Sequence, residues 1–106
     1  MVCYDAVLSQ EKENLLALLN KGLAHHYIAQ YEIALKCYDE VLNEKPQNTT
    51  ALYNKASSLI KYGRTKEGLE ILSQVIKLDF SFKAKAKFDI DFEEIQHLNE
   101  FKKLTL

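Results

Sequence analysis

The chain repeats itself with a period of 34 residues. Shifted by that distance, residues 3–21 align with residues 37–55, and 10 of the 19 aligned positions are identical. Chance would give on the order of one identity, so the period is a property of the sequence. A fixed period of about 20–50 residues is typical of stacked structural repeats, in which each unit buries its apolar face against the next. This feature constrains the fold more than composition does.

Each period contains two predicted helices. Apolar residues recur at intervals of three, four and seven residues, which is the buried stripe of an amphipathic helix. Ala, Leu, Glu, Lys and Gln are plentiful, and these residues lose little free energy on entering a helix. The three glycines and one proline are too few for the tight turns of an all-β fold. We therefore predict an all-α fold.

Local signals place the ends of these helices. Breaks are predicted at residues 29–30, at residues 45–48 and at Gly63. Gly63 suits the left-handed conformation that often closes a helix. The proline in the second break stops the helix before it. Asn48, like Asn14 one period earlier, can cap the following helix by accepting backbone N–H bonds.

Small, aromatic and branched residues occupy matching positions in two full units, residues 15–48 and residues 49–82. The first unit carries them at Gly22, Tyr31, Ala34, Tyr38 and Val41, followed by Pro46. The second unit carries Ala56, Gly68, Leu72 and Val75 at corresponding positions, together with Gly63, and has Phe80 in the proline position. This pattern resembles the tetratricopeptide repeat (TPR) family. The resemblance implies an all-α fold in which antiparallel helix hairpins stack as a right-handed α-solenoid.

The whole chain of 106 residues is predicted to form a single domain with incomplete units at both ends. Residues 2–13 match the second helix of a unit, and we favour a fragment of a longer array over an N-terminal cap. Residues 83–106 are expected to form degenerate capping helices, with Asp91 and Glu94 as a capping box and Asn99 as the cap of the last helix. The apolar residues expected to pack on the last hairpin are Phe92, Ile95, Leu98, Phe101 and Leu104.

The resemblance also implies a concave groove lined by the first helix of each unit. In the first unit the groove positions are Leu16, Leu19, Asn20, Leu23, His26 and Tyr27. In the second unit they are Thr50, Tyr53, Asn54, Ser57, Ile60 and Lys61. An asparagine occupies the same position in both units, and its amide can both donate to and accept from an extended peptide backbone. Hydrogen bonding of these amides to a neighbouring helix is an equally weighted alternative.

The function implied by the resemblance is protein binding without catalysis. A peptide or helical segment of a partner is expected to insert apolar side chains into the groove. Members of the family that grip a C-terminal carboxylate have lysine and asparagine where this chain has Leu19 and Leu23, so that mode of binding is not expected. The alternative is a structural module that self-associates through its uncapped N-terminal helix, with Tyr4, Val7 and Leu8 docking on another copy.

No spacing of residues predicts a cofactor, a metal site or a catalytic histidine pair. His25 and His26 are adjacent and point about 100° apart on a helix, so they cannot share a metal ion. His25 is expected in the core, His26 on the groove side and His97 in solvent. Cys3 and Cys37 are expected to be free thiols on the outer surface, too far apart for a disulfide.

The net charge and the hydropathy of the chain limit the kinds of partner that it is expected to bind. The net charge of −1 gives no general attraction to nucleic acid or to an anionic membrane. No apolar run approaches the roughly 18 residues needed to span a bilayer. Two cysteines are too few for a disulfide framework, which favours a reducing, cytoplasmic location. The sequence therefore predicts a soluble scaffold whose partner is a protein or peptide.

Overall fold

A computed structural model describes the backbone of residues 2–106 and the side chains of residues 14–106. The helices are α1 (Val2–Tyr27), α2 (Tyr31–Glu44), α3 (Thr49–Lys61), α4 (Thr65–Leu78), α5 (Phe82–Phe88), a 3₁₀ helix (Ile90–Ile95) and α6 (Asn99–Thr105). The described backbone contains no β-strand. Helix α1 packs on α2, α2 on α3, and α3 on α4. The predicted all-α, TPR-like solenoid of helix hairpins is therefore confirmed.

The connections between the first four helices lie where the sequence predicted breaks. They comprise residues 28–30, 45–48 and 62–64. Gly63 has a φ of 94°, in the left-handed region that glycine adopts without strain. The Asn48 side chain caps α3 by accepting the backbone N–H of Ala51 at 3.0 Å. The predictions for Gly63 and Asn48 are confirmed.

Helix α1 differs from the prediction for the N-terminal part of the chain. A separate helix over residues 2–13, with Asn14 capping the next, was expected, but one helix runs without a break from Val2 to Tyr27. Asn14 is therefore an interior helical residue and not a cap. The physical reason is local: residues 10–13 contain no glycine or proline, whereas the equivalent stretch one period later contains Pro46. The side chains of Cys3, Tyr4, Val7 and Leu8 lie outside the described residues.

Two glycines mark the places where the helices of each hairpin cross closely. A Cβ atom added to Gly68 of α4 would lie 2.5 Å from Cγ1 of Ile60 and 2.9 Å from the backbone oxygen of Ala56, both on α3. A Cβ atom added to Gly22 of α1 would overlap the ring of Tyr38 on α2. The small residues of the repeat thus set how closely the helices of each hairpin approach.

The apolar core is built from the two repeats and the C-terminal segment. One cluster consists of the buried residues Leu19, Ala34, Tyr38, Val41 and Ala51. A second cluster consists of Leu52, Tyr53, Ala56, Ile60, Leu69, Leu72, Val75, Ile76, Ala86, Phe92, Ile95 and Phe101. Leu42 packs against both clusters. Leu98 and Leu104 pack against the second cluster, so the predicted docking of the C-terminal segment on the last hairpin is confirmed.

The caps of the C-terminal helices differ from the prediction. Asp89, and not Asp91, caps the 3₁₀ helix, because its side chain accepts the backbone N–H of Asp91 at 2.9 Å. Asn99 is the first residue of α6, and the cap position is Leu98, whose side chain makes no capping hydrogen bond. The side chain of Asp91 is thereby left available for contacts elsewhere. None of the described helices is long and apolar enough to cross a membrane.

Cys37 is buried, contrary to the prediction that it faces the outer surface. It lies on α2 beside Tyr38, at an exposure of 4%, and its thiol is free. Burial raises the pKa of Cys37, an effect that Lys21 partly offsets. The thiolate that reacts with electrophiles is therefore disfavoured at this position.

Substituting Gly68→Ala tests the close crossing of α3 and α4. An alanine in a helix gains about 1 kcal/mol of helix propensity over glycine, but overpacking costs about 1–3 kcal/mol. The overpacking term should dominate, because the backbone oxygen of Ala56 cannot move away as a side chain can. We expect a net loss of up to about 2 kcal/mol in the free energy of unfolding, measured with urea. Glu70→Ala, an exposed position on the same helix, should change it by less than about 0.5 kcal/mol, and equal effects would refute the crossing.

Candidate functional site

A cavity of about 220 Å³ lies between α1, α3 and the C-terminal segment. We call it the α1–α3 cavity. Helices α1 and α2 contribute Leu23, His26, Tyr27 and Tyr38, helix α3 contributes Thr50, Tyr53, Asn54 and Ser57, and the C-terminal segment contributes Lys85, Asp89 and Asp91. Its volume is below the roughly 300–1,000 Å³ of pockets that enclose small molecules or cofactors. It is the size of a site for one large side chain.

His26 links three parts of the chain through a buried hydrogen-bond network. Its Nδ1 lies 2.8 Å from Oγ of Ser58 on α3, and its Nε2 lies 3.0 Å from Oδ2 of Asp91 in the 3₁₀ helix. A neutral ring satisfies both contacts when Nε2–H donates to the carboxylate and Nδ1 accepts the serine hydroxyl. The ring is buried, at an exposure of 4%, and packs edge-on against the rings of Tyr27 and Tyr31.

Tyr53 forms a parallel link from α3 to the C-terminal segment. Its hydroxyl donates to Oδ2 of Asp89 at 2.6 Å, and its ring contacts those of Phe82 and Phe92. Burial, together with the hydrogen bond to Asp89 and the negative charges of Asp89 and Asp91, raises the pKa of Tyr53. The two carboxylates therefore impose a negative potential on this wall of the cavity.

Tyr38 lines the cavity, and its buried hydroxyl makes no hydrogen bond of normal geometry with the described residues. Its side chain is fully buried, and among the described residues no hydrogen bond of normal length and angle reaches its hydroxyl. Burial raises the pKa of Tyr38, and a contact with Ser58 that falls short of normal hydrogen-bond geometry lowers it by a smaller amount, so the hydroxyl keeps its proton. A buried hydroxyl without a partner costs about 1–3 kcal/mol, which makes such a group uncommon in a native core.

The mouth of the cavity consists of more exposed side chains. Tyr27 is 73% exposed, Thr50 is exposed, and Asn54 is half-buried. The ammonium group of Lys85 lies 5.1 Å from the centre of the Tyr53 ring, at the distance of a cation–π interaction. A ligand that enters the cavity would meet aromatic, amide and ammonium groups before it reached the carboxylates.

The structure brings some of the predicted groove residues together and separates others. Seven of the twelve predicted groove residues line the cavity, namely Leu23, His26, Tyr27, Thr50, Tyr53, Asn54 and Ser57. Leu16, Asn20 and Lys61 are exposed, but they do not line it. Leu19 and Ile60 are buried in the two core clusters. Asn20 and Asn54, both predicted to face the groove, therefore do not share this cavity.

The two adjacent histidines differ from the prediction in burial, although His26 lines the cavity on the groove side as expected. His25, expected in the core, is only half-buried and its Nδ1 lies 2.7 Å from Oε1 of Gln30. His26, expected on the groove side, is the buried one, because Ser58 and Asp91 satisfy both of its ring nitrogens. The solvent-exposed position expected for His97 agrees with the structure.

Ser58, His26 and Asp91 are the residue types of a hydrolytic triad, a pairing that no sequence spacing indicated. Ser58 has no exposed surface, so its hydroxyl cannot attack a substrate, and a triad needs an accessible nucleophile. Among the residues with described side chains, no group of three His, Cys, Asp or Glu is placed to hold a metal ion. The hydrogen bonds of the network join α1, α3 and the C-terminal segment.

Four cavity residues were missed by sequence reasoning. Tyr38 was assigned only to packing, and Lys85, Asp89 and Asp91 lie in a segment that departs from the repeat pattern. The one available signal was Asp89 followed by Asp91, which places two carboxylates next to a turn. The sequence pattern predicts Asp91, together with Glu94, as a capping box and assigns no role to Asp89.

Stacked helix hairpins with a cavity along their first helices define a helical-repeat protein. The family model for the tetratricopeptide repeat matches residues 15–48 and 49–82. The chain therefore belongs to the tetratricopeptide repeat family. Members of this family are generally protein–protein interaction modules and typically non-catalytic. Comparisons with curated proteins and with solved structures gave no match.

A double-mutant cycle over His26→Ala and Asp91→Ala tests the buried network. Each single variant leaves a buried partner without its hydrogen bond, at a cost of about 1–3 kcal/mol in the free energy of unfolding. We expect a coupling energy of about 1–3 kcal/mol between the two residues, measured by urea unfolding.

The exposed ion pair of Arg64 and Glu67, in which Nη2 and Oε2 are 2.9 Å apart, provides the matched cycle. Surface pairs of this kind couple by about 0–1 kcal/mol. Coupling between His26 and Asp91 no larger than in this control would show that the network does not join the C-terminal segment to α1.

Proposed function

We propose that the chain is a non-catalytic scaffold that binds a short segment of a partner protein at the mouth of the α1–α3 cavity. Its family supports protein binding in general. The observation that carries the specific proposal is an open cavity lined by the first helices of both repeats and sized for one side chain. A peptide laid across the mouth would insert one side chain there and leave the rest in solvent.

The chemistry of the mouth suits a peptide. Tyr27 offers a large exposed ring, and aromatic residues of this kind are frequent binding hot spots. The Asn54 amide carries both donors and an acceptor, which match the groups of a peptide backbone. Among the described residues, no hydrogen bond occupies the Asn54 side chain. The proposal includes a cytoplasmic location, which the free thiol of Cys37 supports.

Self-association is the second candidate function. Helix α1 has 26 residues and α2 has 14, so α1 is about 39 Å long and α2 about 21 Å. The N-terminal half of α1 therefore extends past the helix that covers its other half. Light scattering over a range of concentrations separates the candidates: a monomer at high concentration supports the scaffold, and a concentration-dependent dimer supports docking through α1.

Leu19 and Tyr53 are unsuitable targets for testing peptide binding, since both are buried in the core. The test instead uses Tyr27→Ala and Asn54→Ala at the mouth. Peptides selected by the immobilised protein from a random display library are measured by fluorescence polarisation. We expect each substitution to weaken binding by about fivefold or more, the usual loss at a contact worth about 1 kcal/mol.

Phe80→Ala is the matched control, because Phe80 is as exposed as Tyr27, at 72%, and does not line the cavity. It should leave the affinity unchanged. Melting curves followed by circular dichroism confirm that all three variants stay folded. Selection of no peptide, or peptides that are insensitive to both mouth variants, would reject the proposed binding site.

A further inference from the structure

The wall of the α1–α3 cavity formed by Asp89 and Asp91 retains unused acceptor capacity. Tyr53 donates to one Asp89 oxygen and the backbone N–H of Asp91 to the other, and His26 donates to Oδ2 of Asp91. Each carboxylate oxygen has room for a second donor. The Asp91 side chain is 16% exposed, so a ligand in the cavity can reach it.

No lysine or arginine with a described side chain neutralises this wall. The ion pairs that lysine and arginine form among the described residues are Lys55 with Asp39 and Arg64 with Glu67, and neither pair lies at this cavity. Lys85 borders the cavity, yet its ammonium group lies over the ring of Tyr53 and forms no ion pair with either carboxylate. The position over Tyr53 shows that a cation is stable at this mouth.

The Tyr38 hydroxyl is a second and independent indication of a ligand. The hydroxyl is fully buried, belongs to a residue that lines the same cavity, and has no partner of normal hydrogen-bond geometry among the described residues. Its oxygen can accept a hydrogen bond from a donor placed in the cavity. A ligand that supplies that donor would recover the free energy that the unpaired hydroxyl costs.

We infer that the α1–α3 cavity receives the guanidinium group of an arginine from the bound partner segment, an inference that rests on the proposed function. A guanidinium presents five N–H donors in one plane and stacks on aromatic rings. Those donors match the Asp91 carboxylate and the Tyr38 oxygen, and its faces match the tyrosine rings. A carboxylate ligand would instead face two like charges, and a lysine would supply only a point charge.

The test titrates isotope-labelled protein with N-acetyl-L-arginine N-methylamide and follows backbone amide signals by NMR. We expect saturable shifts concentrated at Leu23, Asn54 and Asp91. The citrulline counterpart has nearly the same shape but no charge, and should bind at least about fivefold more weakly. Asp91→Asn should weaken arginine binding about fivefold or more, while its amide oxygen still accepts from His26. Glu70→Gln, an equal change of charge on the exposed face of α4, should have no effect.

The substitution Lys85→Met should change the affinity for the arginine compound in the opposite direction. It removes the cation that occupies the mouth, so arginine binding should strengthen by roughly two- to fivefold. Equal binding of the arginine and citrulline compounds, shifts spread outside the cavity, or indifference to Asp91→Asn would each overturn the inference.

Failure of this inference is distinguishable from failure of the proposed function. In one outcome, the library peptides bind more weakly to Tyr27→Ala and Asn54→Ala but keep their affinity when their arginines are replaced by citrulline. That result would support peptide binding and contradict arginine recognition. Saturable binding of the arginine compound without selection of any peptide would retain the cavity's specificity and reject the peptide scaffold.

Discussion

The buried hydrogen bonds of His26 are the interaction on which the arrangement of the α1–α3 cavity depends. One imidazole joins α1 to Ser58 on α3 and to Asp91 in the C-terminal segment. In a repeat protein each unit contacts only its neighbours, so contacts that span two units are few. A buried polar network requires every member to be present, because removal of one leaves the others unpaired in a low-dielectric setting. The network therefore joins the first helices of both units to the C-terminal segment.

The C-terminal segment covers the apolar core of the second repeat and also forms one wall of the α1–α3 cavity. Phe92 and Phe101 close the apolar core of the second repeat, which is the general role of a terminal unit in a repeat array. Asp89 and Asp91, from the same segment, reach back to Tyr53 and His26 on the first helices. The apolar residues hold the segment in place, and the carboxylates give the cavity its charge.

The fold was predictable because it is periodic and because its breaks have local causes. The 34-residue period, the left-handed glycine at residue 63 and the cap at Asn48 each depend on residues close together in the sequence. The same local reasoning is wrong at Asn14. Its equivalence to Asn48 predicts a cap, but nothing nearby ends the preceding helix. A cap residue needs a preceding break to act.

The site was predictable only as far as the repeat extends. Residues of α1 and α3 were placed on one face by the family pattern, and seven of those line the cavity. The carboxylates could not be placed in this way, since Asp91 contacts His26 across 65 residues of sequence and lies where the pattern has degenerated. The burial of His26 in place of His25 follows from that same contact, because the two residues are equally polar in sequence and only tertiary partners distinguish them.

The charge of the cavity changes what the missing carboxylate clamp implies. In members of the family that hold a C-terminal carboxylate, lysine and asparagine occupy the positions that are Leu19 and Leu23 here. In this chain Leu19 is buried in the core, and the charged groups that line the cavity include Lys85, Asp89 and Asp91 of the C-terminal segment. Loss of the basic residues alone would leave a neutral groove indifferent to the charge of its ligand. Two partly buried carboxylates disfavour an anion in the cavity, so in the proposed mode of binding the charge preference comes from the segment that departs from the repeat.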